Sequence, residues 1–98
     1  MYVLIYECEP RNAASFNLAF GNDGERAKFF RQGTGYLCTE LLQNTLYSHM
    51  WLVIDRWESS EAYAAHKEAF LAASKALDER CGRLFGEGGW RRMGAYNA

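Results

Sequence analysis

The chain has 98 residues, 49% of them hydrophobic and 15% aromatic, with a formal net charge of −1. Its 11 basic and 12 acidic residues are interspersed, which leaves no electrostatic footprint for nucleic acid or an anionic membrane. The apolar run Tyr2–Tyr6 is far too short for a membrane span, and a start without basic residues that soon meets Glu7 is not that of a signal peptide.

The length suits one domain over residues 1–98. Such a chain buries only roughly 60–65% of the surface its unfolded form exposes, so the apolar content exceeds what one small core hides. The three cysteines, Cys8, Cys38 and Cys81, are odd in number and not paired in spacing. They read as small apolar fillers of a protein in a reducing cytoplasm, not as a disulfide framework or metal site.

Residues 2–8 are β-branched and aromatic and predict a strand that Pro10 ends. Residues 11–32 predict helix, broken near Gly21–Gly24, with Phe16, Ala19 and Phe20 on one face and Asp23 as N-cap of the second piece. Residues 35–43 predict a second strand, Asn44–Ser48 a turn that leaves His49 solvated, and residues 50–57 a third strand. Ser59 or Ser60 caps a long helix over about 60–80, whose apolar stripe is Tyr63, His66, Phe70, Ala73, Leu77, Cys81 and Leu84. The glycine-rich residues 88–96 carry Trp90, Met93 and Tyr96 and predict an irregular fourth strand.

The order strand, helix, strand, strand, helix, strand is the ferredoxin-like βαββαβ pattern, an α+β fold whose antiparallel sheet carries its helices on one face. The uncovered face should then be polar. Here Tyr2, Leu4 and Tyr6 alternate with Val3 and Ile5, and Trp51, Val53 and Trp57 with Leu52 and Ile54, so both faces are largely apolar. Long loops could cover the second face; the simpler cover is the same face of a second copy, a homodimer through the sheet.

Several segments carry a family resemblance. Gly35-Tyr36-Leu37-Cys38-Thr39-Glu40-Leu41, Ile54-Asp55-Arg56-Trp57-Glu58-Ser59, Ala62-Tyr63, and Leu77-Asp78 with Cys81 together resemble the signature of antibiotic biosynthesis monooxygenase domains, and Phe16, Phe20, Gly24 and Phe30 fit its preceding helical region. The resemblance runs from the first strand to about Leu84. It implies a dimeric α+β barrel, with a pocket in each subunit between sheet and helices. Members include cofactor-independent oxygenases that turn polycyclic phenols into quinones, and haem-degrading enzymes. The latter use an Asn on the first strand and a Trp and an iron-binding His on the long helix. The corresponding positions here are Glu7 or Cys8, His66 and, nearby, Ser74, which speaks against haem. Quinone-forming members carry an Asn within the third strand, where this chain has Leu52-Val53-Ile54, so His66 would have to be the polar group.

Each candidate residue has a packing and a functional reading. Trp57 packs the core or walls a pocket for a flat aromatic ligand. Tyr63 packs with its hydroxyl at the surface or hydrogen-bonds a substrate oxygen. His66 is a hydrogen-bonded core residue or a base that makes a phenolate, which yields electrons to oxygen far more readily than a phenol. Tyr36, Trp51 and Phe70 would complete the aromatic pocket, while Asp55 and Arg56 read as salt-bridge partners to neighbouring strands or to the partner subunit. No phosphate loop, nucleophile elbow or metal-ligand spacing occurs, so no flavin, nicotinamide or metal is called for.

The expected function is a cofactor-independent monooxygenase for a small aromatic or polyketide-like compound, with His66 and Tyr63 catalytic. The alternatives are a non-catalytic dimeric domain that binds a small apolar ligand, and an isomerase or cyclase on the same scaffold.

Overall fold

The computed structural model describes residues 1–86 and 89–98 in full, and 87–88 in their backbone. In chain order the elements are β1 (Tyr2–Pro10), α1 (Ala13–Phe20), α2 (Glu25–Phe30), β2 (Tyr36–Gln43), β3 (Trp51–Trp57), α3 (Ser60–Ala69), α4 (Leu71–Gly82) and β4 (Phe85–Asn97). The four strands form one antiparallel sheet in the order β2-β3-β1-β4. This is the ferredoxin-like α+β fold expected from the pattern, with the helices on one face.

Alternation sorts the sheet residues. Leu4, Tyr6 and Cys8 of β1 and Val53, Asp55 and Trp57 of β3 are buried towards the helices. Phe16 and Phe20 descend from α1, Leu77 and Cys81 from α4, and Phe85 closes the core. Burial pushes the thiols of Cys8 and Cys81 up to about 12 and about 11, so both stay protonated fillers.

Asn12 caps α1 by accepting from the Ser15 N–H at 2.9 Å. Beyond it the helical segments depart from expectation in two places. The second piece starts at Gly24, with no side-chain cap, rather than at Asp23. The long helix breaks at Phe70, whose φ of −120° and ψ of 35° are not helical. No proline or glycine marks that break in the sequence. It shifts the helix phase: Ala73, expected on the buried stripe, is exposed, and Ser74 is buried in its stead. Ser59 caps α3, accepting from the Ala62 N–H at 3.1 Å.

On the other face of the sheet lie Val3, Ile5, Leu42, Leu52, Ile54 and Tyr96, with two ion pairs among them: Arg56–Glu40 at 3.3 Å and Arg91–Glu7 at 3.2 Å. Among the described residues, no helix covers this face, and none is long and apolar enough to cross a membrane.

The entry into β2 depends on Gly35, which has a φ of +94° and whose missing Cβ would lie 2.5 Å from that of Ala62. Its carbonyl accepts from the Glu58 N–H at 2.7 Å, tying β2 to the start of α3. Gly35→Ala would incur both left-handed strain and a clash, about 1–3 kcal/mol together. Thermal denaturation of that variant should show a midpoint several degrees below wild type; an unchanged midpoint would contradict this packing.

Candidate active site

The most buried charges among the described residues meet at the centre of the sheet. Arg26 of α2 and Asp55 of β3 are 3% and 1% exposed, and Arg26 Nη2 donates to Asp55 Oδ2 at 3.0 Å. The Thr39 hydroxyl donates to Asp55 Oδ1 at 2.6 Å. Its proton is thereby committed, so the Tyr36 hydroxyl, 2.6 Å from Thr39 Oγ1, donates in turn. A chain of hydrogen bonds thus runs from Tyr36 through Thr39 and Asp55 to Arg26.

Three aromatic rings hold the guanidinium: Phe20, Phe30 and Trp90, with centroids 4.5, 5.0 and 5.2 Å from its carbon. Arg26 Nε and Nη1 have no conventional hydrogen-bond partner among the described residues; the ring faces are their neighbours. Burial alone would lower the pKa of Arg26, but the charge and hydrogen bond of Asp55 more than reverse this and raise it. The guanidinium is permanently charged.

Above this pair, between the sheet and helices α2, α3 and α4, lies a cavity of about 120 Å³. Its floor is Tyr6, Arg26, Asp55 and Trp90; its upper wall is Phe30, Tyr63, His66 and Ser74; Lys67, Asp78 and Arg92 complete the lining. A larger open groove of about 740 Å³ runs between α1, α2 and α4. The charged groups there, such as Glu25 and Arg80 paired at 2.6 Å, are about half exposed, so water competes for any ligand. The small cavity, with its buried polar groups, is the better candidate site.

His66 is 5% exposed. Its ring is ringed by Phe70, Phe29, Trp57 and Phe30, with centroids 4.7, 5.0, 5.4 and 5.8 Å away. Burial lowers its pKa, only partly offset by the hydrogen bond to Phe29, so it is neutral at pH 7. Nε2 lies 3.3 Å from the Phe29 carbonyl oxygen. A carbonyl only accepts, which puts the proton on Nε2 and leaves the Nδ1 lone pair free. Gly33 makes room for the ring: a Cβ there would lie 2.6 Å from His66 Cδ2.

Tyr63, one turn before His66 on α3, turns its hydroxyl to Arg92 of β4, whose Nη2 donates to it at 3.0 Å and to the Tyr6 hydroxyl at 3.1 Å. Burial pushes the Tyr6 phenol up to about 12, against the smaller opposing effect of Arg92.

Of the six residues singled out in the sequence, Tyr63 and His66 line the cavity together. Trp57 stands directly behind them, 5.4 Å from each ring. Phe70 lies against His66 with the rings tilted by 37°, and Tyr36 packs on Trp57 at 5.3 Å with its hydroxyl engaged by Thr39. Trp51 is elsewhere: it opposes Cys8 at the other end of β3 and packs on Phe16 at 5.4 Å. Asp55 pairs with a helix residue, Arg26, and Arg56 with Glu40 on the opposite face. Tyr6, Arg26, Trp90 and Arg92 were not singled out. Tyr6 could have been, since it shares the buried face with Leu4; nothing local marks Arg26 or Arg92.

The family model for antibiotic biosynthesis monooxygenases matches residues 23–76. The chain belongs to this family. The match spans α2 to the start of α4 and includes Arg26, Asp55, Tyr63 and His66. No curated protein matches the chain. Among solved structures, a variant of SnoaB, a cofactor-independent oxygenase from Streptomyces nogalater, aligns with 21% identity and a TM-score of 0.68 over 99% of this chain and 91% of that one. The ActVA-Orf6 monooxygenase of Streptomyces coelicolor, in complex with nanaomycin D, aligns with 20% identity and a TM-score of 0.74 over 99% and 86%. Rv0793 of Mycobacterium tuberculosis aligns with 15% identity and a TM-score of 0.65 over 99% and 93%. At these identities the likeness is one of fold.

The ion pair can be tested directly. Asp55→Leu strands the buried Arg26 charge and should cost about 3–5 kcal/mol. The double variant Asp55→Leu with Arg26→Met removes both charges and should recover most of that loss in denaturant unfolding. A double variant no more stable than the single one would contradict the account of a stranded charge.

Proposed function

We propose that this chain is a cofactor-independent monooxygenase that oxidises a small phenol in the cavity beneath α3. Family membership supports the reaction class. The observation that carries the reading is a neutral imidazole, His66, in the same cavity wall as the Tyr63 phenol. Base and hydrogen-bond donor are the two groups that phenol oxidation needs from a protein that brings no cofactor.

The substrate hydroxyl gives its proton to His66 Nδ1. The resulting phenolate transfers an electron to dioxygen, and the substrate radical and superoxide combine at the para carbon as a peroxide, which takes the imidazolium proton and becomes a hydroperoxide. The neutral His66 then removes the hydrogen of that carbon as a proton while the O–O bond breaks. One oxygen stays as the new carbonyl, and the other departs as hydroxide, which takes that proton from the imidazolium and leaves as water. Phenol and dioxygen become quinone and water; the substrate supplies all four electrons. Tyr63 holds the substrate oxygen, and Trp57, behind both residues, fixes their positions. A cavity of about 120 Å³ suits one aromatic ring, since an apolar cavity of about 150 Å³ holds benzene.

His66→Ala should lower kcat by roughly 10²–10⁴. Because His66 acts as a base with a pKa below 6.5, wild-type kcat/KM should fall as the pH drops through that lowered value and be flat above it. Oxygen consumption with electron-rich single-ring phenols that carry a hydrogen at the para carbon measures both. Turnover unchanged in the variant would remove His66 from the mechanism, and product formed under nitrogen would favour an isomerase or cyclase.

The bare sheet face supports a homodimer. Val3, Ile5, Leu52 and Ile54 form an apolar centre flanked by the Glu40–Arg56 and Glu7–Arg91 pairs, an arrangement of apolar core and polar rim. Native mass spectrometry should find two chains per particle, and Ile5→Asp should give monomers. A monomeric wild type would overturn this part of the reading.

A further inference from the structure

Arg92 reaches the cavity because β4 is irregular. Ile5 faces Gly94, but its neighbour Tyr6 faces Arg92, so Met93 is an extra, unpaired residue. In a regular ladder Met93 would stand opposite Tyr6. The bulge re-aims the strand and presents a guanidinium where a thioether would otherwise lie; Met93 itself is 47% exposed.

The consequence is chemical. Arg92 Nη2 donates to both phenol oxygens, Tyr6 at 3.1 Å and Tyr63 at 3.0 Å. A guanidinium has no lone pair to offer, so each phenol is an acceptor in that contact and its own O–H proton remains to be donated. Among the described residues neither hydroxyl has an acceptor. All three residues line the cavity. The guanidinium also polarises both phenols, which strengthens them as donors to an anion. The other charged groups lining the cavity are Arg26, Lys67, Asp55 and Asp78; with Arg92 that makes three cations against two carboxylates, an excess of one positive charge.

We propose that Tyr6 and Tyr63, bridged by Arg92, form an oxyanion-binding site that holds the deprotonated oxygen of a single-ring phenol. This rests on the reading of the cavity as a substrate site and adds to it the group that stabilises the phenolate once His66 has taken its proton. The pair is preorganised: β1 and α3 supply the donors and the bulge of β4 supplies the cation that orients them. Burial keeps Tyr6 protonated, with its phenol pushed up to about 12, so it stays a donor throughout the working range.

The probe is 4-nitrophenol, whose phenolate and neutral forms differ in colour. Its absorbance is titrated against wild-type protein, Tyr6→Phe, Tyr63→Phe and Arg92→Met, with circular dichroism as a check on folding. Wild type should bind the phenolate in preference to the phenol, so that the bound probe titrates at lower pH than the free one. Each Tyr→Phe change should weaken phenolate binding roughly 10- to 100-fold while leaving binding of the neutral phenol nearly unchanged. Arg92→Met, at an exposed position where folding is not at stake, should weaken phenolate binding in the same direction. Binding of both forms with equal affinity, insensitive to the three substitutions, would overturn the oxyanion site and leave the cavity as a substrate pocket. Failure of wild type to bind either form would overturn the pocket reading and this proposal with it.

Discussion

Two opposite charges, Arg26 and Asp55, lie 3.0 Å apart under the helices, where almost no water reaches them. Removing such groups from water is costly unless each is fully engaged. Here Asp55 accepts from both Arg26 and Thr39, and the guanidinium is enclosed by Phe20, Phe30 and Trp90. The pair therefore fastens α2 to the middle of the sheet, and it can form only when α1, β2, β3 and β4 are all in place. Replaced by a hydrophobic pair of similar volume, it need not weaken the fold. Its contribution is a fixed geometry and a charged floor under the cavity.

From that floor the site is layered. Over Arg26 and Asp55 sit the small cavity and the residues that face it from α3, Tyr63 and His66. Behind those two is Trp57, in contact with both rings. The aromatic surroundings of His66 serve two ends at once: they pack the space between α2 and α3, and they exclude the water that would otherwise stabilise an imidazolium. The neutrality of the proposed base thus follows from the way the core is filled. The same packing limits the cavity to about 120 Å³.

The two faces of the sheet divide the work. One carries the buried ion pair and the cavity. The other, with Ile5, Leu52 and Ile54 between two surface ion pairs, is the face proposed for the homodimer. This separation lets an interface form without altering the cavity lining, because neighbouring residues along each strand point to opposite sides. Tyr6 and Glu7 are one residue apart, yet the first lines the cavity and the second pairs with Arg91 on the outer face.

The sequence by itself determined the order of the elements, the helix-bearing and bare faces of the sheet, and the family, because alternation and turn chemistry are local and repeat along the chain. It also placed Tyr63 and His66 on one helix face, since they are three residues apart. Only the tertiary structure decided the partner of Asp55, 29 residues away in Arg26, and the approach of Arg92 to Tyr6 across 86 residues. The break at Phe70 and the bulge at Met93 belong with these. The break at Phe70 carries no local signal, and the glycines of residues 88–96 announced an irregular strand without fixing where the extra residue falls; each moves a side chain by the one position that decides whether it faces the site.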